Sequence, residues 1–266
     1  MIVYVFDNTL DGLLTAVFDS FFLKQQDVTL LAEGEQLPLF ADEPHRVVTD
    51  SEKAERVWKG LEKNLSKDGL HMITISWFSE ERTLNQPLFN FICKVFRLKV
   101  KDLERNASDP DVLEVRNTCR RVLHEQLRMK QFIRFQKAKD GTYLAVVSPD
   151  HNVLPLITDH FQDRFNDQPW LIYDAKRHYG YYYGASPHPS KKRGEVIRVT
   201  FEDEAAVPFD LSNGKMDAEV LSENDKLFQD LWRTYFKAIC IKERMNPKKQ
   251  LSDMPRRYWK YMTEKN

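Results

Sequence analysis

Apolar residues recur along this chain with two different periods, and the change of period divides it. The unbroken apolar run at residues 2–6 predicts a buried strand. Asp7, Asn8 and Thr9 then offer side-chain oxygens to a helix whose apolar face is Leu13, Leu14, Val17, Phe18, Phe21 and Phe22. A second strand is expected over 28–32, and three helices between 50 and 98, broken near Asp68-Gly69 and Asn85-Gln86-Pro87. After Asp109-Pro110 comes the clearest helix. Positions 112, 115, 119, 122, 126, 129 and 133 hold Val, Val, Cys, Val, Gln, Met and Ile, an apolar stripe interrupted only at Gln126.

Beyond Asp140-Gly141 the pattern shortens. Segments 143–147, 170–173, 180–183 and 196–201 read as strands of a mainly antiparallel sheet, with a helix over 154–165 among them. A further helix is expected with Phe228, Leu231, Trp232, Tyr235 and Ile239 on one side. The pattern predicts an α+β protein: a helix-rich N-terminal half, then a mainly antiparallel sheet packed with helices. The chain is read as one domain over 1–266, divisible into sublobes 1–108 and 109–266.

Composition narrows the function classes. Forty basic residues balance forty acidic ones, so attraction to a polyanion must come from local patches. Such patches exist. Residues 114–139 carry eight Lys or Arg against two Glu, and residues 237–266 carry nine against three acids, whereas 202–225 is acidic. Cys93, Cys119 and Cys240 stand far apart without a Cys-x-x-Cys, so reduced core thiols of a cytoplasmic protein are expected rather than a metal ribbon or disulfide framework. No stretch approaches eighteen apolar residues, so neither a signal peptide nor a membrane span is expected. Phosphate loops, dinucleotide fingerprints, nucleophile elbows and His-Glu-x-x-His helices are missing. No reaction, metal or cofactor is therefore assigned, and whether the chain is an enzyme stays open.

Three groups of residues carry candidate chemistry. Asp150, after Pro149, and Asp174, two residues before Lys176, lie at the ends of strand-like runs. Paired carboxylates with a nearby lysine are what a metal-dependent nuclease needs to hold Mg²⁺ against a phosphodiester. Arg177, Tyr181 and Tyr183 combine a cation with aromatic faces that stack on unpaired bases. At the end of the chain, Arg256, Arg257 and Lys260 surround Tyr258, Trp259 and Tyr261, and the helical Arg120, Arg121 and Arg128 extend a basic track for nucleic-acid phosphates.

Several runs together resemble a known bacterial family. They are Tyr4-Val5-Phe6-Asp7-Asn8-Thr9-Leu10-Asp11-Gly12-Leu13-Leu14, Ala107-Ser108-Asp109-Pro110-Asp111-Val112, Arg134-Phe135-Gln136, Pro149-Asp150-His151-Asn152-Val153-Leu154-Pro155-Leu156 and Gln168-Pro169-Trp170-Leu171-Ile172-Tyr173-Asp174. Asn246-Pro247 and Met254-Pro255-Arg256-Arg257-Tyr258-Trp259-Lys260 complete the set. They resemble the "probable DNA metabolism protein" family, a domain of unknown function. The resemblance implies association with a radical-SAM DNA modification or repair protein and, in some members, fusion to a family-4 uracil-DNA glycosylase. No such fusion is expected within these 266 residues. The chain departs from that pattern at Asn8 and Leu10, where glycine and phenylalanine are expected.

The resemblance implies an accessory protein of DNA repair or modification that binds DNA and works with a radical-SAM partner. The alternatives are a metal-dependent nuclease and a protein–protein adaptor. Gln36-Leu37-Pro38-Leu39-Phe40 gives the adaptor a mechanism, because it resembles the peptide by which bacterial DNA enzymes dock on the sliding clamp. Leu39 and Phe40 would fill an apolar pocket while Gln36 bonds polar groups at its rim.

Overall fold

A computed structural model describes residues 2–39, 43–100, 102–184 and 194–201, and thereafter 210–211, 213–217, 219–225, 227, 229–231, 234, 246–262 and 264. The chain forms two compact units, Met1–Leu123 and His124–Asn266. The division falls within the long helix that the sequence marked most clearly.

The first unit is built on a three-stranded parallel sheet. β1 (Val3–Phe6) lies between β2 (Thr29–Ala32) and β3 (His45–Arg46), a two-residue strand that the apolar pattern was too short to reveal. Parallel strands need crossovers, and α1 (Leu10–Phe22) supplies the first. Its start is fixed by polar contacts. Thr9 caps it by accepting the Gly12 amide at 2.9 Å, and Asp7 accepts the Thr9 amide and the Thr9 and Thr49 hydroxyls. Gly12 is required there, since a Cβ would lie 2.1 Å from Asp7 Oδ1. Asn8 has φ of 57°, a left-handed conformation that glycine adopts freely and asparagine tolerates. The departure at position 8 thus preserves the turn.

α2 (Ser51–Asn64), α3 (Lys67–Trp77) and α4 (Asn85–Leu98) follow. The breaks differ from expectation. Ser66 caps α3, so Asp68-Gly69 lies in its first turn rather than at its edge. Asn85-Gln86-Pro87 likewise opens α4, where proline's missing N–H costs no helical bond. Gln86 extends the sheet edge, accepting the Leu30 amide at 2.7 Å and donating to the Val28 carbonyl at 3.0 Å. Asp109 then holds the amides of Asp111 and Val112 and the Lys94 ammonium, which nucleates α5 (Pro110–Phe132).

Along α5 the expected stripe is buried at Val112, Val115, Cys119, Val122, Met129 and Ile133. Gln126 spends its polar end on the Leu156 carbonyl at 2.7 Å, which explains how it fits the stripe.

The second unit carries a five-stranded sheet in the order β4-β5-β6-β7-β8: Gln136–Lys137, Tyr143–Val147, Trp170–Asp174, Tyr179–Tyr183 and Val196–Val199. Three of its four pairings are antiparallel, as the strand pattern suggested; β5 and β6 are parallel. That parallel pair explains the helix in the sequence between them, because parallel neighbours need a crossover. The crossover contains a 3₁₀ turn (Leu154–Leu156) and α6 (Thr158–Arg164), in place of one helix over 154–165. β6 is buried at every position. Near the end of the chain, α7 (Pro247–Asp253) precedes a 3₁₀ helix, Arg256–Tyr261. Of the expected helix beyond residue 227, Phe228, Trp232, Tyr235 and Ile239 lie outside the described residues, as does Cys240.

Cys93 and Cys119 are buried free thiols, and burial pushes Cys93 up to about 11. Among the described residues no helix is long and apolar enough to cross a membrane.

Candidate nucleic-acid interface

The 3₁₀ helix Arg256–Tyr261 has three residues per turn, so positions three apart share a face. Tyr258 and Tyr261 form the inward face, with Tyr258 buried against Phe132 at a centroid distance of 5.6 Å. Arg256 and Trp259 form another. The Arg256 guanidinium lies 5.9 Å from the Trp259 ring, and the Lys260 ammonium 4.4 Å from the Tyr261 ring. Arg256 and Lys260 are both exposed, and among the described residues Arg256 has no ion-pair partner. Cations braced on aromatic faces in this way can meet phosphates while the rings limit their freedom.

Arg257 takes a different course. Its guanidinium bonds Glu125 Oε1 at 3.2 Å and the Tyr258 hydroxyl at 2.6 Å, and also pairs with Asp150 Oδ2. Glu125, whose side chain is 1% exposed, accepts in addition the Tyr258 hydroxyl and the amides of Asp150 and His151. Tyr258 is shifted upward, first by burial. This network ties the end of the chain to α5 and the loop after β5. Sequence reading overlooked Glu125. A signal was present: it stands three residues after Val122 and four before Met129, on the apolar side of the helix, where a carboxylate demands partners.

The nuclease candidates lie near one another, each held by protein partners. Asp174 is fully buried and accepts the Lys176 amide at 2.9 Å and the Arg177 amide at 3.3 Å, while its other oxygen bonds the Arg177 guanidinium at 2.8 Å. Lys176 Nζ and Arg177 Nη2 donate to the Asp150 carbonyl at 2.8 and 2.9 Å, and Arg177 Nη1 also reaches the Pro149 carbonyl. The Asp150 carboxylate goes to Arg257. Burial raises the Asp174 carboxyl above its ordinary value, opposed by Arg177 and the two amides. The constellation is a structural latch between the ends of two parallel strands. Among the described residues no group of three or more His, Cys, Asp or Glu side chains is placed to hold a metal ion.

The remaining sequence candidates divide by their surroundings. Tyr183 is 1% exposed, stacks on Trp170 at 5.5 Å and donates to the Asn166 carbonyl, so it belongs to the core and offers no face to a base. Arg177 is occupied by the latch. Tyr181 is half-buried, edge-on to Tyr179. Arg121 pairs with Glu81 at 2.7 Å and Glu114 at 3.3 Å, which removes it from a free basic track. Arg120 is exposed, and Arg128 reaches the Ser252 carbonyl at 3.5 Å. In the clamp-like segment Gln36 and Leu37 are exposed and Leu39 is 96% exposed; Phe40 lies outside the described residues.

Comparison with known proteins adds a family. The model for a domain of unknown function, DUF4130, matches residues 82–264. No curated protein matches the chain. Among solved structures, a pGpG-specific phosphodiesterase, PggH of Vibrio cholerae, aligns over 90% of this chain and 99% of its own, with 11% identity and a TM-score of 0.32. So loose a superposition carries no argument about fold or activity.

Proposed function

We propose that this chain, which belongs to the DUF4130 family, is an accessory protein of DNA repair or modification that binds nucleic acid through its C-terminal 3₁₀ helix and works with a radical-SAM partner. The observation carrying the reading is the outward pair Arg256 and Lys260, each braced on an aromatic ring. Phosphate contacts from such cations supply sequence-independent affinity and position a protein on its substrate. The radical-SAM partner comes from the family resemblance seen in the sequence. An electrophoretic mobility shift with single- and double-stranded DNA tests the reading. The wild type is expected to shift DNA, and R256E/K260E to lose the shift while keeping its folded circular dichroism spectrum. An unchanged shift in the variant would remove the assignment.

The exposed Leu39 supports a second reading, docking on the sliding clamp. An apolar side chain left in water on a loop gains by entering a partner's pocket. Surface plasmon resonance against immobilised clamp is expected to show binding that L37A/L39A abolishes. Equal binding by the variant would dismiss it. For the nuclease reading no such support exists, because the Asp174 carboxylate is already committed to Arg177.

A further inference from the structure

The second unit contains an open cleft of about 470 Å³ between the last turn of α5 and the helix α6. Its walls bring together Lys130, Arg134, Phe135, His160, Arg164 and Phe165. Lys130 and Arg134 belong to the basic stretch 114–139, but His160, Arg164 and Phe165 come from a segment about thirty residues further on, and only the fold joins the two. Two kinds of group meet here. Phe135 and Phe165 stand edge to face at 5.5 Å, and the Arg164 guanidinium lies 5.6 Å from the Phe165 ring. That makes a platform of ring and guanidinium. The charges form the second group. Arg134 is neutralised by Glu264 at 2.7 Å, but among the described residues neither Lys130 nor Arg164 has an ion-pair partner. Their common focus is visible at His160. Burial, then the charges of Lys130 and Arg164, hold its imidazole below the ordinary value, with Asp163 acting the other way.

We infer that this cleft takes one unpaired nucleotide of a single strand, its base against Phe165 and its flanking phosphates on Lys130 and Arg164. The inference rests on the nucleic-acid reading above and adds a second, strand-selective site to it. The occupant follows from the lining. Unpaired cations beside an aromatic face match the alternating phosphate and base of a single strand. A base held in a duplex presents no free face, so the cleft selects unpaired or extruded nucleotides. The volume lies within the range of small-molecule sites, enough for one nucleotide rather than a helix.

Fluorescence anisotropy separates this site from the C-terminal one. The probes are a labelled oligothymidylate and a duplex of equal length, with unlabelled thymidine monophosphate as competitor, over a salt series. Relative to wild type, K130E/R164E is expected to bind the single strand at least tenfold more weakly. Its salt slope should be less steep by about 1.4, the contribution of two phosphates on a single strand. F165A should cost roughly tenfold for the single strand and leave the duplex unchanged. Should F165A fail to fold, R164E alone, at an exposed position, keeps the test open. Single-strand binding untouched by these substitutions but abolished in R256E/K260E overturns the cleft and leaves the proposed function standing. Equal losses for duplex and single strand overturn the strand selectivity. Binding of the monophosphate without the oligonucleotide makes the cleft a free-nucleotide site and overturns the inference. No binding of any nucleic acid by the wild type removes both readings together.

Discussion

Arg257 sends its guanidinium among the carboxylates of Glu125 and Asp150, whereas Arg256, one residue earlier, lays its own beside Trp259 and meets no acid among the described residues. The same contrast separates Arg177, locked onto buried Asp174, from Arg164 on the open cleft. Basic sequence is therefore not one feature here. An arginine whose charge is answered by a buried acid holds the fold together. An arginine braced on a ring and left without a counter-charge is available to a ligand. The difference lies in partners rather than in spacing, and it sorts the cations of the second unit into two groups with opposite expected phenotypes.

Removing an inward cation should cost stability. R177M leaves the Asp174 carboxylate buried without its countercharge, a loss expected to be about 3–5 kcal/mol in urea unfolding of the full chain. A cost under about 1 kcal/mol would show that the latch is dispensable and break the contrast at its strongest point. R257M is expected to cost less, about 2 kcal/mol, because Glu125 keeps the Tyr258 hydroxyl and two amides.

A titration sharpens the same distinction between buried and answered charge. Burial raises Asp174 above its ordinary 3.8, so its contribution improves as pH falls through the folded value and is unfavourable above it. Asp7, in the first unit, has the opposite sign. Burial works to raise it, but hydrogen bonds from Thr9 and Thr49 outweigh that and hold it below 3.8. Its contribution is present above 3.8 and is lost as pH falls through its folded value. Carboxyl NMR is expected to find Asp174 titrating at higher pH than Asp7. The reverse order would contradict the role given to burial.

Outward cations should weigh least in stability. R256E/K260E is expected to cost no more than about 0.5–1 kcal/mol for each exposed cation–π contact it removes. A larger loss would move this pair into the structural group.

The sequence pattern revealed most of the elements because burial in strands and helices is periodic. The α5 stripe, β5, β6 and β7 were all readable in this way. It missed β3, whose two residues are too few to show a period, and it misplaced the breaks before α3 and α4, where Ser66 and the start at Asn85 set the ends. The mainly antiparallel sheet was legible; its single parallel pair was hinted at only by the helix between β5 and β6. Lys176 meets the Asp150 carbonyl, yet the carboxylates of Asp174 and Asp150 are taken up by Arg177 and Arg257, whose direction no spacing fixes. Tyr181 and Tyr183 share a strand face, yet only Tyr183 is buried, because it pairs with Trp170 and stacks on it, which period-two alternation does not show. The cleft of Lys130, Arg164 and Phe165 joins segments distant in sequence, and only folding brings them together.

The role given to the outward cations is tested most directly by the salt dependence of DNA affinity for wild type and R256E/K260E. If Arg256 and Lys260 bind phosphates, log affinity falls linearly with log salt, and the variant's slope is shallower by nearly two for duplex DNA, about 0.9 for each phosphate no longer neutralised. Identical slopes for the two proteins, or no binding by the wild type at low salt, would contradict it.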